Sequence, residues 1–289
     1  MFKFTHIKQL SVAGQTENED TVYADAGKII VIDGATALTP NCVTPYASDP
    51  QWLSHRLRDV LRPLLDDQAL SLKDCLRKAL STLSAEYACY IAPLDTVSAS
   101  TDGYPSCSIS IIRMQNDCIE YLALGDCITM LRHRAGHITL LRDTRVELLD
   151  KAAIAHMRAL QAAQHCSAQE ARKQVQPQLI AHRRQLNTPG GYWGGTLDAV
   201  GVAHAVEMNF FANEIEQVVS MSDGFFQIYD TFGFYQTPAD FFDAIHTIGP
   251  DALLRRLFDA QDKDPEFHAY PRLKHRDDTS VVIAAVSGP

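Results

Sequence analysis

The chain has no run of about 18 apolar residues, so no membrane-spanning helix is expected. It also has no surplus of positive charge. Lys and Arg number 26 against 35 Asp and Glu, a net charge of −9. A polyanion is bound by clustered cations, so a nucleic-acid partner is not expected. The opening residues, Met1-Phe2-Lys3-Phe4-Thr5-His6, lack the charged-then-apolar order of a signal peptide. Disulfide-type cysteine spacing is missing as well. Cys42, Cys75, Cys89, Cys107, Cys118, Cys127 and Cys166 are an odd number with no Cys-x-x-Cys pair. They read as reduced thiols, with Cys107 and Cys127 at core positions, and the expected compartment is the cytoplasm. No internal repeat, low-complexity tract or long linker divides the chain.

What is present is enough apolar material for a large core: 46% hydrophobic residues over 289, with 21% charged. The first forty residues read as two or three strands that end at Asp33-Gly34. A helix follows, with Asp49 as cap, Pro50 in the first turn, and Trp52, Leu53, Leu57, Val60, Leu61, Leu64 and Leu65 at helical spacing. A second starts at Ser71, with Asp74 in a capping-box-like position and a stripe from Leu72 to Tyr87. Residues 106–142 turn to β character in short strands, predicting an antiparallel meander. Residues 143–187 are rich in Ala, Gln, Arg, His and Lys and predict two polar helices ending near Pro177 or Arg184, with a capping box at Ser167 and Glu170. The glycines of Pro189–Gly195 exclude regular structure there. Strands are predicted at Val200–Val206, Ile215–Met221 and Thr279–Val286, with helices at Pro238–Ile245 and Pro250–Gln261. Met208-Asn209-Phe210-Phe211 and Phe225-Phe226 read as core. Strands at both ends with helices between them predict a single α+β domain over 1–289 with layered sheets.

The chemistry lies at the strand ends. Glu19-Asp20, Asp33-Gly34, Gly125-Asp126, Asp223-Gly224 and Asp277-Asp278 each adjoin an apolar run such as Ile29–Ile32, Tyr121–Leu124, Val218–Ser222 or Val281–Ile283. A single Asp-Gly is a turn former. Carboxylates at several strand ends, far apart in sequence, can converge into the all-oxygen site that Mg²⁺ or Mn²⁺ prefers.

In this order, with Asn18 before Glu19 and Ser222 before Asp223, the motifs resemble those of the metal-dependent Ser/Thr protein phosphatases of the 2C type, over about residues 10–286. The resemblance implies a four-layer α-β-β-α sandwich of two antiparallel sheets flanked by helices. It implies two Mn²⁺ or Mg²⁺ ions, with a weaker third site. Asp33 would bridge the central ions and Gly34 would offer its carbonyl. Glu19 would hold one ion, and Asp223 with Asp277 the other. Asp126 and Asp223 would make the third site. Asp20 would support the ligands from behind, and Asp278, where many members have Asn, would orient water. A binuclear centre of this kind activates water for in-line attack on phosphorus. The implied substrate is a phosphoprotein, opposing a Ser/Thr kinase.

The departures matter too. Many members carry Arg four residues before the Glu, where its fork grips phosphate; here it is Gln15. Ala35 stands where many have a His that acts as general acid, and Ser108 where they often have Thr. The segment 143–197 corresponds to the family's variable flap. Arg183 and Arg184, just before the Gly-rich loop, are candidates to grip phosphate in place of residue 15, with Arg255-Arg256 expected on a solvent face. Tyr192 and Trp193 either pin that loop to the core or line the substrate groove. Two alternatives stand beside a protein phosphatase: a hydrolase of small phosphate esters, and a catalytically weak phosphoprotein-binding regulator.

Overall fold

The computed structural model describes residues 1–38, 42–92 and 104–288. Among the described residues, eleven strands form two antiparallel sheets. The first sheet has the order β2 (Thr21–Ala24), β3 (Lys28–Gly34), β4 (Ser106–Gln115), β5 (Cys118–Leu124) and β9 (Val206–Phe211), with the two-residue β8 (Gly195–Thr196) beside β4. The second has β1 (Lys3–Val12), β11 (Thr279–Ser287), β10 (Ile215–Met221), β6 (Ile128–His133) and β7 (Ile138–Leu141).

The period of two along each strand explains the layers. On β3, Ile29 and Val31 face the gap between the sheets, where they join Ile112, Tyr121, Leu131, Val218 and Val282. Ile30 and Ile32 face the other way, onto Trp52, Leu53 and Leu57 of α1 (Asp49–Leu64) and Leu76 and Leu80 of α2 (Leu72–Ile91). Burial on both faces is why these strands read as unbroken apolar runs rather than alternating ones. Truncating one such Ile to Ala costs about 2–5 kcal/mol. The second sheet is covered by α6 (Asp223–Asp230), α7 (Pro238–Thr247) and α8 (Pro250–Asp262), whose Phe225, Phe226, Phe241, Phe242 and Leu253 pack on Met130, Val219 and Ile283. The result is the expected α-β-β-α sandwich.

Several local expectations change. Residues 106–142 are not one meander. The β4–β5 hairpin lies in the first sheet and the β6–β7 hairpin in the second, and the chain crosses between them at Gly125-Asp126. Ser48, not Asp49, caps α1: its hydroxyl accepts from Gln51 N at 3.2 Å. The buried Asp49 carboxylate instead accepts from Val43 N, Thr44 N and the Tyr87 hydroxyl. Residues 143–187 hold three helices, α3 (Arg145–Gln164), α4 (Ala168–Gln174) and α5 (Gln176–Arg183). Pro177 opens the third, as suits a residue with no N–H to leave unpaired. Ala153, Met157, Ala171, Val175 and Leu179 give them a small core of their own, shared with Phe267.

Val200–His204 is a 3₁₀ turn, and the following strand, β9, is an edge strand. Met208 and Phe211, expected in the core, are 41% and 63% exposed there. Phe225 and Phe226 are buried as expected. All seven cysteines are unpaired, and Cys107 and Cys127 are buried. Among the described residues no helix is long and apolar enough to cross a membrane.

Candidate active site

Strand register brings the acidic positions to one end of the sandwich. Met221 of β10 pairs with Val281 of β11 on one side and with Ile128 of β6 on the other. Asp223 beyond β10, Asp277 before β11 and Asp126 before β6 therefore share an edge. In the facing sheet Asp33 pairs with Ser108. Its side chain continues the Ile29 and Val31 face, so it points into the mouth of the gap between the sheets.

Two glycines make the convergence possible by having no Cβ. A Cβ on Gly34 would lie 2.6 Å from the Glu19 carbonyl oxygen, and one on Gly224 would lie 1.9 Å from that of Asp278. Gly34 N donates to the Glu19 carbonyl at 3.2 Å, which fastens the loop before β2 to the end of β3.

The first shared property of the cluster is crowding. Burial raises the Asp33 carboxyl well above the usual range, and the charges of Asp20, Asp223, Asp126 and Asp277 add to it. Asp223 is raised by burial and then by Asp277 and Asp126. Asp126 is raised by burial, although the Ser108 hydroxyl donates to it and its own N–H donates back to Ser108 Oγ at 3.2 Å. Asp20 is 2% exposed, and its carboxyl is pushed up to about 8. Neither of its oxygens has a hydrogen-bond partner. The nearby Ser222 and Ser280 ease its charge: Ser280 Oγ gives its proton to Ser11 Oγ, whereas Ser222 Oγ accepts from Ser280 N and keeps its own O–H beside Asp20.

These observations bear on whether a metal fits. The donors are carboxylate and carbonyl oxygens, the set that hard divalent cations take, and a buried carboxylate with two idle oxygens wants a cation. The chemistry fits. Among the described residues, however, no three His, Cys, Asp or Glu side chains are already drawn into a formed metal site. Lys274 stands among the carboxylates, donating through Nζ to Asp277 at 2.8 Å and to the Thr36 hydroxyl at 3.1 Å. Burial opposes its charge, but Asp277, Asp223 and Asp33 outweigh that and raise its pKa.

The remaining expected residues divide. Glu19 is buried and accepts from the Ser48 hydroxyl at 2.6 Å. Asp278 is half-buried at the rim. It accepts from Gly14 N at 2.8 Å and Glu19 N at 2.6 Å, tying down the loop that carries Glu19 and Asp20. Gln15 is exposed on that loop and does not line the cleft. Arg183 does line it, whereas Arg184 is exposed outside. Arg255 and Arg256 are exposed on α8, the latter over the Phe234 ring. Trp193 stacks on His204 at 3.5 Å and packs against the core between α1, α2 and the first sheet. Asn187 N donates to Tyr192 O, and Gly195 pairs with Cys107. The Gly-rich loop is thus anchored at several points, and Tyr192 and Trp193 also line the cleft.

A cleft of about 710 Å³ runs from Asp33, Asp126, Asp223 and Asp277 to the inner faces of α3 and α5. Three of its features escaped sequence reasoning. Lys274 stood in plain view three residues before Asp277, within the basic run Arg272–Arg276, but motif spacing alone assigns it nothing. Thr36 directly follows the Gly34-Ala35 pair. Asp150 lies in mid-helix; burial and the charge of Asp126 push it up to about 7, against the pull of Lys274 and Arg183.

Comparison with solved structures finds full-length likeness at low identity. The catalytic domain of serine threonine protein phosphatase PstP, in complex with 2 manganese ions, matches with a TM-score of 0.52 at 17% identity over 100% of each chain. The Mycobacterium tuberculosis serine/threonine phosphatase PstP/Ppp gives 0.54 at 15% over 98% of each chain. Serine/threonine phosphatase Stp1 from Staphylococcus aureus gives 0.51 at 13%, over 98% of this chain and 95% of that one. No family model and no curated protein matches the chain. In fold the chain resembles the 2C-type phosphatases, as the order of its acidic motifs implied.

Proposed function

We propose that this chain is a metal-dependent phosphomonoesterase acting on phosphoserine and phosphothreonine in proteins. The observation that carries the reading is the convergence of Asp20, Asp33, Asp126, Asp223 and Asp277 at one end of the sandwich, with Asp20 buried and its oxygens unpartnered. A stable fold has no use for such a cluster by itself, because each like charge raises the cost of the others. The fold is shared with a phosphatase domain solved with 2 manganese ions.

Asp33 and the Gly34 carbonyl would hold the central pair of Mn²⁺ or Mg²⁺ ions, with Glu19 on one side and Asp223 and Asp277 on the other. Asp126 and Asp223 would hold a third, weaker ion. Bound there, such ions activate water for attack on phosphorus and offset the charge that develops. The protein's own groups do the placing. Ser48 fixes the Glu19 carboxylate, Ser108 fixes Asp126, and Asp278 holds the backbone between Gly14 and Glu19. The expected biological setting is the reversal of a Ser/Thr kinase.

The test is release of p-nitrophenol from p-nitrophenyl phosphate with Mn²⁺, after chelation and after metal is restored, followed by a phosphopeptide panel. Turnover that needs the metal supports the reading, and turnover unaffected by chelation refutes it. A protein that hydrolyses small esters but no phosphopeptide would instead be a small-ester hydrolase.

A further inference from the structure

Residue 15 carries no charge and does not reach the cleft, yet a phosphate monoester is close to a dianion at neutral pH. A cleft floored by carboxylates needs cations of its own to admit it. Arg142, Lys151, Arg158 and Arg172 also line the cleft; Arg142 and Lys151 pair with Glu147 on α3, and Arg172 donates to Gln176, all on the helical side of the cleft. Two other cations converge on one residue. Arg183, the last residue of α5, donates through Nη2 to the Thr36 carbonyl at 3.3 Å. Lys274 donates to the Thr36 hydroxyl at 3.1 Å. Thr36 stands three residues after Asp33, and all three residues line the same cleft.

We propose that Lys274 and Arg183 together form the phosphate clamp, meeting the non-bridging oxygens of the substrate beside Asp33; the inference rests on the phosphomonoesterase reading of this cleft. The two side chains suit different parts of the task. A guanidinium offers a planar fork to two oxygens, and an ammonium on a flexible stem adds a compact charge.

Both are carried on firm supports. The α5 helix is fixed through Leu179 in the small core with Val175 and Phe267. The loop before β11 is fixed by Arg272, which is 4% exposed. Arg272 pairs with Asp264 at 2.9 Å, donates to the carbonyls of Gln261 and Asp264, and lies over the Phe267 ring. The backbone at Lys274 is thereby held, while its side chain spans from Asp277 to Thr36 at the wall of the cleft.

The experiment uses the full chain and inorganic phosphate as probe. Phosphate is titrated calorimetrically into wild type, Lys274→Gln, Arg183→Gln and Lys274→Arg, with and without Mn²⁺, and Mn²⁺ is titrated separately. Each Gln variant should bind phosphate about tenfold more weakly, about 1.4 kcal/mol. Lys274→Arg should recover most of the loss, and Arg255→Gln, on the solvent face of α8, should show none. In turnover the Gln variants should raise KM for a phosphopeptide more than they lower kcat. Phosphate affinity within threefold of wild type in both Gln variants overturns the clamp. If Lys274→Gln also loses Mn²⁺, the decision falls to Arg183→Gln, which removes no bond to a carboxylate of the cluster. A wild type that binds no Mn²⁺ and cleaves no ester defeats the phosphatase reading instead, and the titration without Mn²⁺ still decides the clamp.

Discussion

Replacing Asp20 by Asn should stabilise the protein in EDTA, and do so increasingly as the pH rises. Asp20 is 2% exposed with neither oxygen hydrogen-bonded, and its carboxyl is raised from 3.8 to about 8, by burial first and then by Asp278 and Asp277. A folded-state pKa above the unfolded one means that the native state holds the proton more tightly. The stability this group confers is complete below about pH 4 and is lost as the pH climbs toward 8. Each pKa unit is about 1.4 kcal/mol. The full span from 3.8 to about 8 is therefore about 6 kcal/mol, of which Asp33 and Asp223, crowded into the same site, take a share. Asn keeps the shape and cannot ionise. At pH 8 in EDTA the variant should gain about 2–5 kcal/mol over wild type, and near pH 4 nothing. For 289 residues that is about 3–8 °C in Tm, from an unfolding entropy of about 2.1 cal/mol/K per residue. Urea unfolding followed by circular dichroism from pH 4 to 9 in EDTA measures it. A wild type that gains stability through this window, or a variant no more stable at pH 8, would refute the electrostatic account.

Other expectations concern the same end of the molecule. With Mn²⁺ at about a hundred times Kd, wild type should gain about 2.7 kcal/mol of stability. Asp33→Asn and Asp223→Asn should gain none and lose metal-supported turnover, and wild-type turnover in either would show that these carboxylates are not ligands. Gly224→Ala places a methyl 1.9 Å from the Asp278 carbonyl oxygen and should cost at least about 1–3 kcal/mol, as overpacking does; an unchanged urea midpoint would contradict the close approach. Asp278→Ala frees the N–H groups of Gly14 and Glu19 and should cost about 1.5–3 kcal/mol. It should also speed amide exchange across residues 13–20, and unchanged exchange there would show that another group holds the loop.

The acidic motifs and the architecture were legible in the sequence because both are local signals. Ile29–Ile32 had to be a strand buried on both faces, and an Asp-Gly after it had to be a turn at a sheet rim. The stripes of Trp52–Leu61 and Leu72–Tyr87 had to be helices lying on that sheet, and Phe225 and Phe226 had to be inside. Periodicity, however, does not say which sheet a hairpin joins. The runs on either side of Gly125-Asp126 look alike, and only packing separates β4–β5 from β6–β7 and puts Asp126 at the crossing. Nor does an apolar run reveal an edge, so Met208 and Phe211 look like core and stand exposed on β9.

At the site, composition named the carboxylates, while tertiary structure assigned their surroundings. Asp278 is turned toward two backbone N–H groups, Gln15 is exposed to solvent, and of the two neighbouring arginines Arg183 lines the cleft while Arg184 is exposed outside it. Lys274 and Thr36 are 238 positions apart in the chain, and no spacing rule connects them. Strand order brings their loops to the same rim. A sequence fixes what each short segment prefers, because sterics and side-chain period act over a few residues. Which loops meet is decided by how the sheets stack, and that depends on the burial of every strand at once.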